Sequence, residues 1–198
     1  MTDEQKTPLK ERLWRRPSKW FLFGIPLGGF AMLAIGAIGL GTFNFAVHET
    51  SSLEFCISCH EMEANAFAEY QQSVHYQNAS GVRAVCADCH LPNSWGPKVL
   101  KKMEKGFKEI PAKLLGTIST PEKYEARRLE MAENVWAEMK ASDSRECRNC
   151  HSLESMDPEA QGRRTAKKHS MERHAEKGET CIDCHKGIAH KLPEGFTG

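Results

Sequence analysis

All eight cysteines of the 198-residue chain fall into four copies of one pattern. These are Cys56-Ile-Ser-Cys59-His60, Cys86-Ala-Asp-Cys89-His90, Cys147-Arg-Asn-Cys150-His151 and Cys181-Ile-Asp-Cys184-His185. C-x-x-C-H is the attachment signature of c-type haem. The two thiols add to the two vinyl groups of one haem, and the two-residue spacer lets them reach neighbouring pyrrole edges. The next residue is then carried beneath the iron, where an imidazole serves as axial ligand. Zinc knuckles, redox dithiols and disulfide frameworks also use paired cysteines. None of them requires a histidine after the second cysteine in all four copies.

Four irons call for further axial ligands. Five histidines lie outside the motifs: His48, His75, His169, His174 and His190. Spare imidazoles in such a chain serve as sixth ligands, because bis-imidazole iron is low-spin and suited to electron transfer. His75, His190 and His169 are favoured, with His174 as the substitute for His169. His48 is the weakest candidate, since it borders an apolar stretch. Three favoured ligands for four haems leave one haem atypical. Met62 follows the first motif, and its thioether is an alternative to His60 on that iron.

The elements that must position these groups divide the chain sharply. Mean hydropathy is −0.53, yet from Trp20 to Val47 no side chain is charged. A bilayer span needs about 20 apolar residues, so residues 20–47 are expected to form a single transmembrane signal-anchor helix. Pro26 stands near its entry and suits the start of regular helix. A cleaved signal peptide would be shorter in its apolar part and end in small residues; Asn44-Phe45-Ala46-Val47 is a poor cleavage site. Lys6, Lys10, Arg12, Arg15, Arg16 and Lys19 precede the stretch, which keeps residues 1–19 in the cytoplasm and exports residues 48–198. Export agrees with the cysteine motifs, because bacterial c-type haem is attached outside the cytoplasm.

The exported part is poor in apolar residues and buries too little alone to offset its conformational entropy. Covalent haem supplies the missing core. The motifs come in two pairs, with 30 residues from Cys56 to Cys86, 34 from Cys147 to Cys181, and 61 between the pairs. Two dihaem halves follow, at about 48–118 and 119–198. In the connector, Thr120 is an N-cap candidate and Pro121 suits the first helical position. A helix is predicted from there to about Lys140, with Leu129, Ala132, Val135, Trp136 and Met139 on one stripe. A shorter basic segment, 98–105, precedes it. No alternation typical of strands appears. The fold class expected is mainly α, with much irregular chain wrapped around haem. Twenty-seven basic and 26 acidic residues give a net charge of +1, which offers nucleic acid no field.

The segments Phe55-Cys-Ile-Ser-Cys-His-Glu-Met62, Ser73-Val-His-Tyr76, Ser80-Gly-Val-Arg83, Asp143-Ser-Arg-Glu-Cys-Arg-Asn-Cys-His151 and Cys181-Ile-Asp-Cys-His-Lys-Gly-Ile-Ala-His190 resemble the NapC/NirT family of membrane-anchored tetrahaem cytochromes. The resemblance covers nearly the whole chain and is greatest to the NapC branch. It implies a protein of the bacterial inner membrane, with the haem domain in the periplasm. It implies oxidation of membrane quinol, menaquinol or ubiquinol, and delivery of electrons to a periplasmic reductase or its dihaem electron-transfer subunit. Nitrate reductase is the favoured partner, with nitrite and N-oxide reductases behind it; a second copy of the chain is a further candidate. By the same resemblance the haem of Cys56 and Cys59 lies nearest the membrane, and Met62 occupies a position that ligates iron in one branch. Lys102 matches a quinol-site lysine, and Glu109, after a one-residue shift, matches an acidic partner. The family's distal ligands map to His75, His169 and His190. Two other functions compete: a tethered shuttle fed by another dehydrogenase, and a terminal reductase working at the first haem. For the latter, no dedicated catalytic cluster is visible in the sequence.

Overall fold

The structure is a computed structural model that describes residues 21–22 and 25–196. The basic segment 1–19 and its cytoplasmic placement lie outside the described residues. The chain divides into two compact units, 1–48 and 49–198.

In the first unit, β1 (Phe21–Leu22) and β2 (Ile25–Pro26) form a two-residue antiparallel ladder. The sequence reading expected no strand, and this pairing is a single tight reversal rather than a sheet. Helix α1 (Leu27–Glu49) starts immediately after Pro26. Its 23 residues rise about 34 Å, at roughly 1.5 Å each, enough for a hydrocarbon core of about 30 Å. Met32, Leu33, Ile35, Ile38, Leu40 and Phe45 all stand on its surface, and no polar stripe interrupts them. Asn44 turns its side-chain amide back to donate to the Leu40 carbonyl at 2.8 Å, a way of satisfying a polar group in apolar surroundings. The regular helix is shifted toward the C-terminus relative to the expected 20–47, because Pro26 blocks its upstream extension.

The second unit is built of short helices around two long ones. Helix α2 (Leu53–Cys56) delivers the first cysteine, and a π-helical turn (Met62–Phe67) runs into α3 (Ala68–Tyr70). Helix α4 (Cys86–His90) is the second motif. Helix α5 (Trp95–Leu114) follows, then α6 (Pro121–Ala141), capped by the Thr120 hydroxyl accepting from the Lys123 amide. Helix α7 (Arg145–Arg148) carries the first cysteine of the third motif. Helices α8 (Arg163–Lys168), α9 (Met171–Lys177) and α10 (Cys181–Cys184, the fourth motif) complete the chain. The connector helix thus appears where Thr120 and Pro121 place it. The basic segment 98–105 proves to be the middle of a 20-residue helix.

Apolar packing is sparse. Among the described residues, the buried hydrophobic side chains are Tyr70, Tyr124 and Ile182. Polar ties carry much of the cohesion. Glu138 of α6 accepts from Lys101 and Lys105 of α5, at 2.8 and 2.9 Å. Arg128 of α6, nearly buried, donates to both oxygens of Glu69 at 2.9 and 2.7 Å and to Glu125 at 2.7 and 2.6 Å. Glu69 also accepts the Lys191 amide at 3.0 Å, which fastens the C-terminal segment to α3.

Candidate haem and substrate sites

The four motifs are brought together in sequence order. Helix α2 packs on α4, α4 on α7, and α10 along α6. Cys56 and Cys86 lie beside each other, where α2 packs on α4. Cys89 lies within electrostatic range of Cys147 and Cys150, and Cys147 within range of Cys181. All eight cysteines are free of disulfides. The second and fourth motifs share a local device: the aspartate between their cysteines reaches back to the preceding backbone. Asp88 accepts the Val85 amide at 2.7 Å and Asp183 the Thr180 amide at 2.8 Å, which fixes each motif as one helical turn.

The third and fourth motifs are pinned together by Ser144. This residue is fully buried, and its hydroxyl accepts the Ile182 amide at 3.1 Å. Asp143 and Ser144 both adopt left-handed backbone, at φ 54° and 48°. Such a conformation is costly for non-glycine residues and persists where surrounding contacts hold it. Lys140 adds a bond to Asp183 at 2.7 Å.

Three histidine pairs stand out. His75 faces His151 with ring centres 6.1 Å apart, His190 faces His90 at 6.3 Å, and His169 stacks on His185 at 5.9 Å. Two imidazoles trans on one metal, with metal–N bonds of about 2 Å and ring centres about 1 Å beyond, stand about 6 Å apart. Each pair joins one motif histidine to one of the expected distal ligands. The residues present therefore fit haem. The scarcity of buried apolar side chains points the same way. His90 keeps solvent access as a residue, yet the surrounding chain desolvates its imidazole and pushes its pKa down to about 4. Burial likewise lowers His190, so both imidazoles are neutral, the form that binds metal.

Chain geometry explains how the distal histidines arrive. Tyr70 donates its hydroxyl to the carbonyls of His75 and Ala84, closing the loop that carries His75. Gly187, at φ +79°, makes the turn that returns His190; a Cβ there would meet Leu192 at 2.9 Å. His169 Nδ1–H donates to Gln161 Oε1 at 2.8 Å, an arrangement that fixes a ligand's tautomer and aims Nε2 at the metal. His174 lies on α9, its Nδ1 buried without a partner, while His169 holds the place opposite His185.

The first motif is built differently. His60 is 70% exposed. Its Nε2 lies 3.4 Å from the Ser119 carbonyl and its Nδ1 3.5 Å from Glu61. Glu61 is buried and accepts from Lys113 at the end of α5, which holds its carboxyl below the usual range. Met62 is half-buried at the head of the π-helical turn; such turns recur at functional sites. Lys102 and Glu109 both lie within electrostatic range of Cys56. Seven residues apart on α5, they share one face. Lys102 donates to the Thr50 carbonyl and hydroxyl at 2.7 and 2.9 Å, and burial lowers its pKa. Glu109 has surface access, yet the protein around it desolvates its carboxyl and raises its pKa against the pull of Lys105 and Lys101.

Gln161, Ser144 and Arg128 were not singled out as site residues by sequence reasoning. Gln161 sits in a loop without periodicity. The four-residue run before the third motif, 143–146, hides two left-handed residues, neither of them glycine.

A model described as the NapC/NirT cytochrome c family, N-terminal region, matches residues 16–195. The denitrification system component NirT of Stutzerimonas stutzeri is 52% identical over 187 residues, covering 93% of this chain and 90% of its own. The cytochrome c-type protein NapC of Escherichia coli K12 is 48% identical over 194 residues, covering 96% and 94%. A protein of Allochromatium vinosum whose name specifies a tetraheme cytochrome-c type is 47% identical over 170 residues, covering 83% and 90%. No solved structure matches the chain. With a family match across nearly its whole length, the chain belongs to the NapC/NirT cytochrome c family and is a membrane-anchored, electron-transferring c-type cytochrome.

Proposed function

We propose that the protein oxidises membrane quinol and passes the electrons to a periplasmic reductase, for which nitrate reductase is the favoured identity. The observation that carries this reading is the asymmetry of the first motif. There alone among the four motifs, burial pushes a nearby lysine down and a nearby carboxylate up beside the attachment cysteine. The other three motif histidines each face a second imidazole.

Cysteines 56 and 59, 86 and 89, 147 and 150, and 181 and 184 hold four haems in this reading. His90 and His190, His151 and His75, and His185 and His169 would hold three of them in pairs, with Met62 or His60 at the first site. Held there, haem would supply one-electron redox chemistry. Quinol gives up two electrons and two protons to become quinone. Lys102 has three ammonium protons, two of them engaged with Thr50; the third is available to a quinol oxygen. Glu109, with its raised pKa, accepts a quinol proton and releases it to water. Haems held by neighbouring motifs would offer electrons a path in motif order, first to fourth. The anchor keeps residues 1–19 cytoplasmic and the domain from residue 48 on the periplasmic side. The 52% identity to NirT favours, as a second reading, delivery to another reductase of denitrification.

The test is Lys102→Ala in the full-length, haem-loaded protein. Quinol-driven haem reduction should slow by about tenfold or more, the scale of losing one charged hydrogen bond to substrate, while dithionite reduces every haem as before. Unchanged quinol kinetics would remove Lys102 from the site.

A further inference from the structure

Helix α5 is amphipathic in the opposite sense to a helix that packs on a soluble core. Three of its lysines are turned inward. Lys101 and Lys105 are only 19% and 28% exposed and grip Glu138, and Lys102 is tied to Thr50. Its apolar stripe is turned outward: Leu100, Met103, Phe107, Ile110 and Leu114 recur at helical spacing, and Phe107 and Leu114 are 78% and 82% exposed. Leu115 continues the stripe past the helix end, and Trp95 stands exposed at its start. The residues facing the first motif, Lys102 and Glu109, lie on the other side of the helix, so the stripe is not the face turned to the Cys56 haem.

We propose that α5 is a second, monotopic membrane contact, with the stripe from Leu100 to Leu115 inserted in the lipid headgroup and acyl boundary. Three observations favour lipid over a protein occupant. Thr50, which Lys102 holds, directly follows Glu49, the last residue of the apolar helix α1, so α5 is fastened to the chain where it leaves the span. The exposed Lys108 flanks the stripe, suited to anionic headgroups while its stem follows the apolar boundary. Trp95 at the helix start suits the same interface. A surface stripe of this length is far larger than scattered surface apolars require. The proposal does not depend on quinol being the substrate.

The test places a photoreactive benzoylphenylalanine at Phe107, or at Ile110 as a second site, in full-length haem-loaded protein. The equally solvent-open Val82 is the control position. Each protein is reconstituted in nanodiscs of phosphatidylethanolamine and phosphatidylglycerol, illuminated, and read by mass spectrometry. Lipid adducts at positions 107 and 110 should exceed those at 82 several-fold. Adducts to a second copy of the chain, or lipid adducts no greater than at position 82, would overturn the assignment.

Discussion

At the fourth motif the His185 ring stacks on His169, Gln161 holds the far nitrogen of that partner, and Asp183, Lys140 and Ser144 clamp the motif turn from three sides. At the first motif His60 points outward toward the Ser119 carbonyl, and the nearby charges belong to Lys102 and Glu109 of α5. The same five-residue pattern thus sits in one setting where its histidine meets a second imidazole and another where it does not. Saturated, rigidly held imidazole pairs suit passing electrons without binding anything new. A site lined by a lysine and a desolvated carboxylate suits a substrate that sheds protons as it sheds electrons.

The sharpest way to break this contrast is to delete each site in turn. Cys56→Ser with Cys59→Ser should remove one haem and abolish quinol-driven reduction of those remaining. Cys181→Ser with Cys184→Ser should also remove one haem, yet leave the others reducible by quinol. Haem content and anaerobic reduction kinetics check both variants, and identical behaviour would erase the distinction.

Glu109→Gln should slow quinol oxidation about 100-fold, the lower end of general-base effects. The sign of its pH dependence follows from the raised pKa. The carboxylate must be ionised to take a proton, so the wild-type rate falls as pH drops through that raised value. The glutamine variant should lose that limb of the profile, as stopped-flow kinetics across pH would reveal.

Arg128→Ala should destabilise the fold by about 3–5 kcal/mol, because it strands the buried Glu69 carboxylate. Glu69 also holds the Lys191 amide beside His190, so the His90–His190 pair should loosen, read by calorimetry together with electron paramagnetic resonance. The first site should keep its spectrum. The smallest effect is expected from Gln161→Leu. Losing the acceptor for His169 Nδ1–H makes that imidazole a weaker donor to ferric iron. One haem potential should move upward while the other three stay, as a redox titration would resolve.

The motif cysteines and the connector helix were legible in the sequence because covalent haem attachment demands fixed spacing, and Thr120-Pro121 is a local start signal. Helix α5 was read only as a basic segment. Lys101, Lys102 and Lys105 face inward to Glu138 and Thr50 while its apolar side chains face outward, the reverse of the pattern that identifies a core-packed helix. Which distal histidine meets which motif was not legible either. His75 crosses to the third motif and His190 back to the second, and such long-range pairings leave no trace in local spacing. Gln161 and Ser144 act through single hydrogen bonds set by tertiary placement, for which sequence carries no periodic signal.

The most direct measurement is anaerobic mixing of full-length, detergent-purified protein with a menaquinol or ubiquinol analogue, followed at the haem α-band, with and without a quinol-site inhibitor. Rapid reduction that the inhibitor blocks is the expected result. No reduction by either quinol, with dithionite still reducing every haem, would contradict a quinol site at the first motif and leave a tethered shuttle fed by another protein.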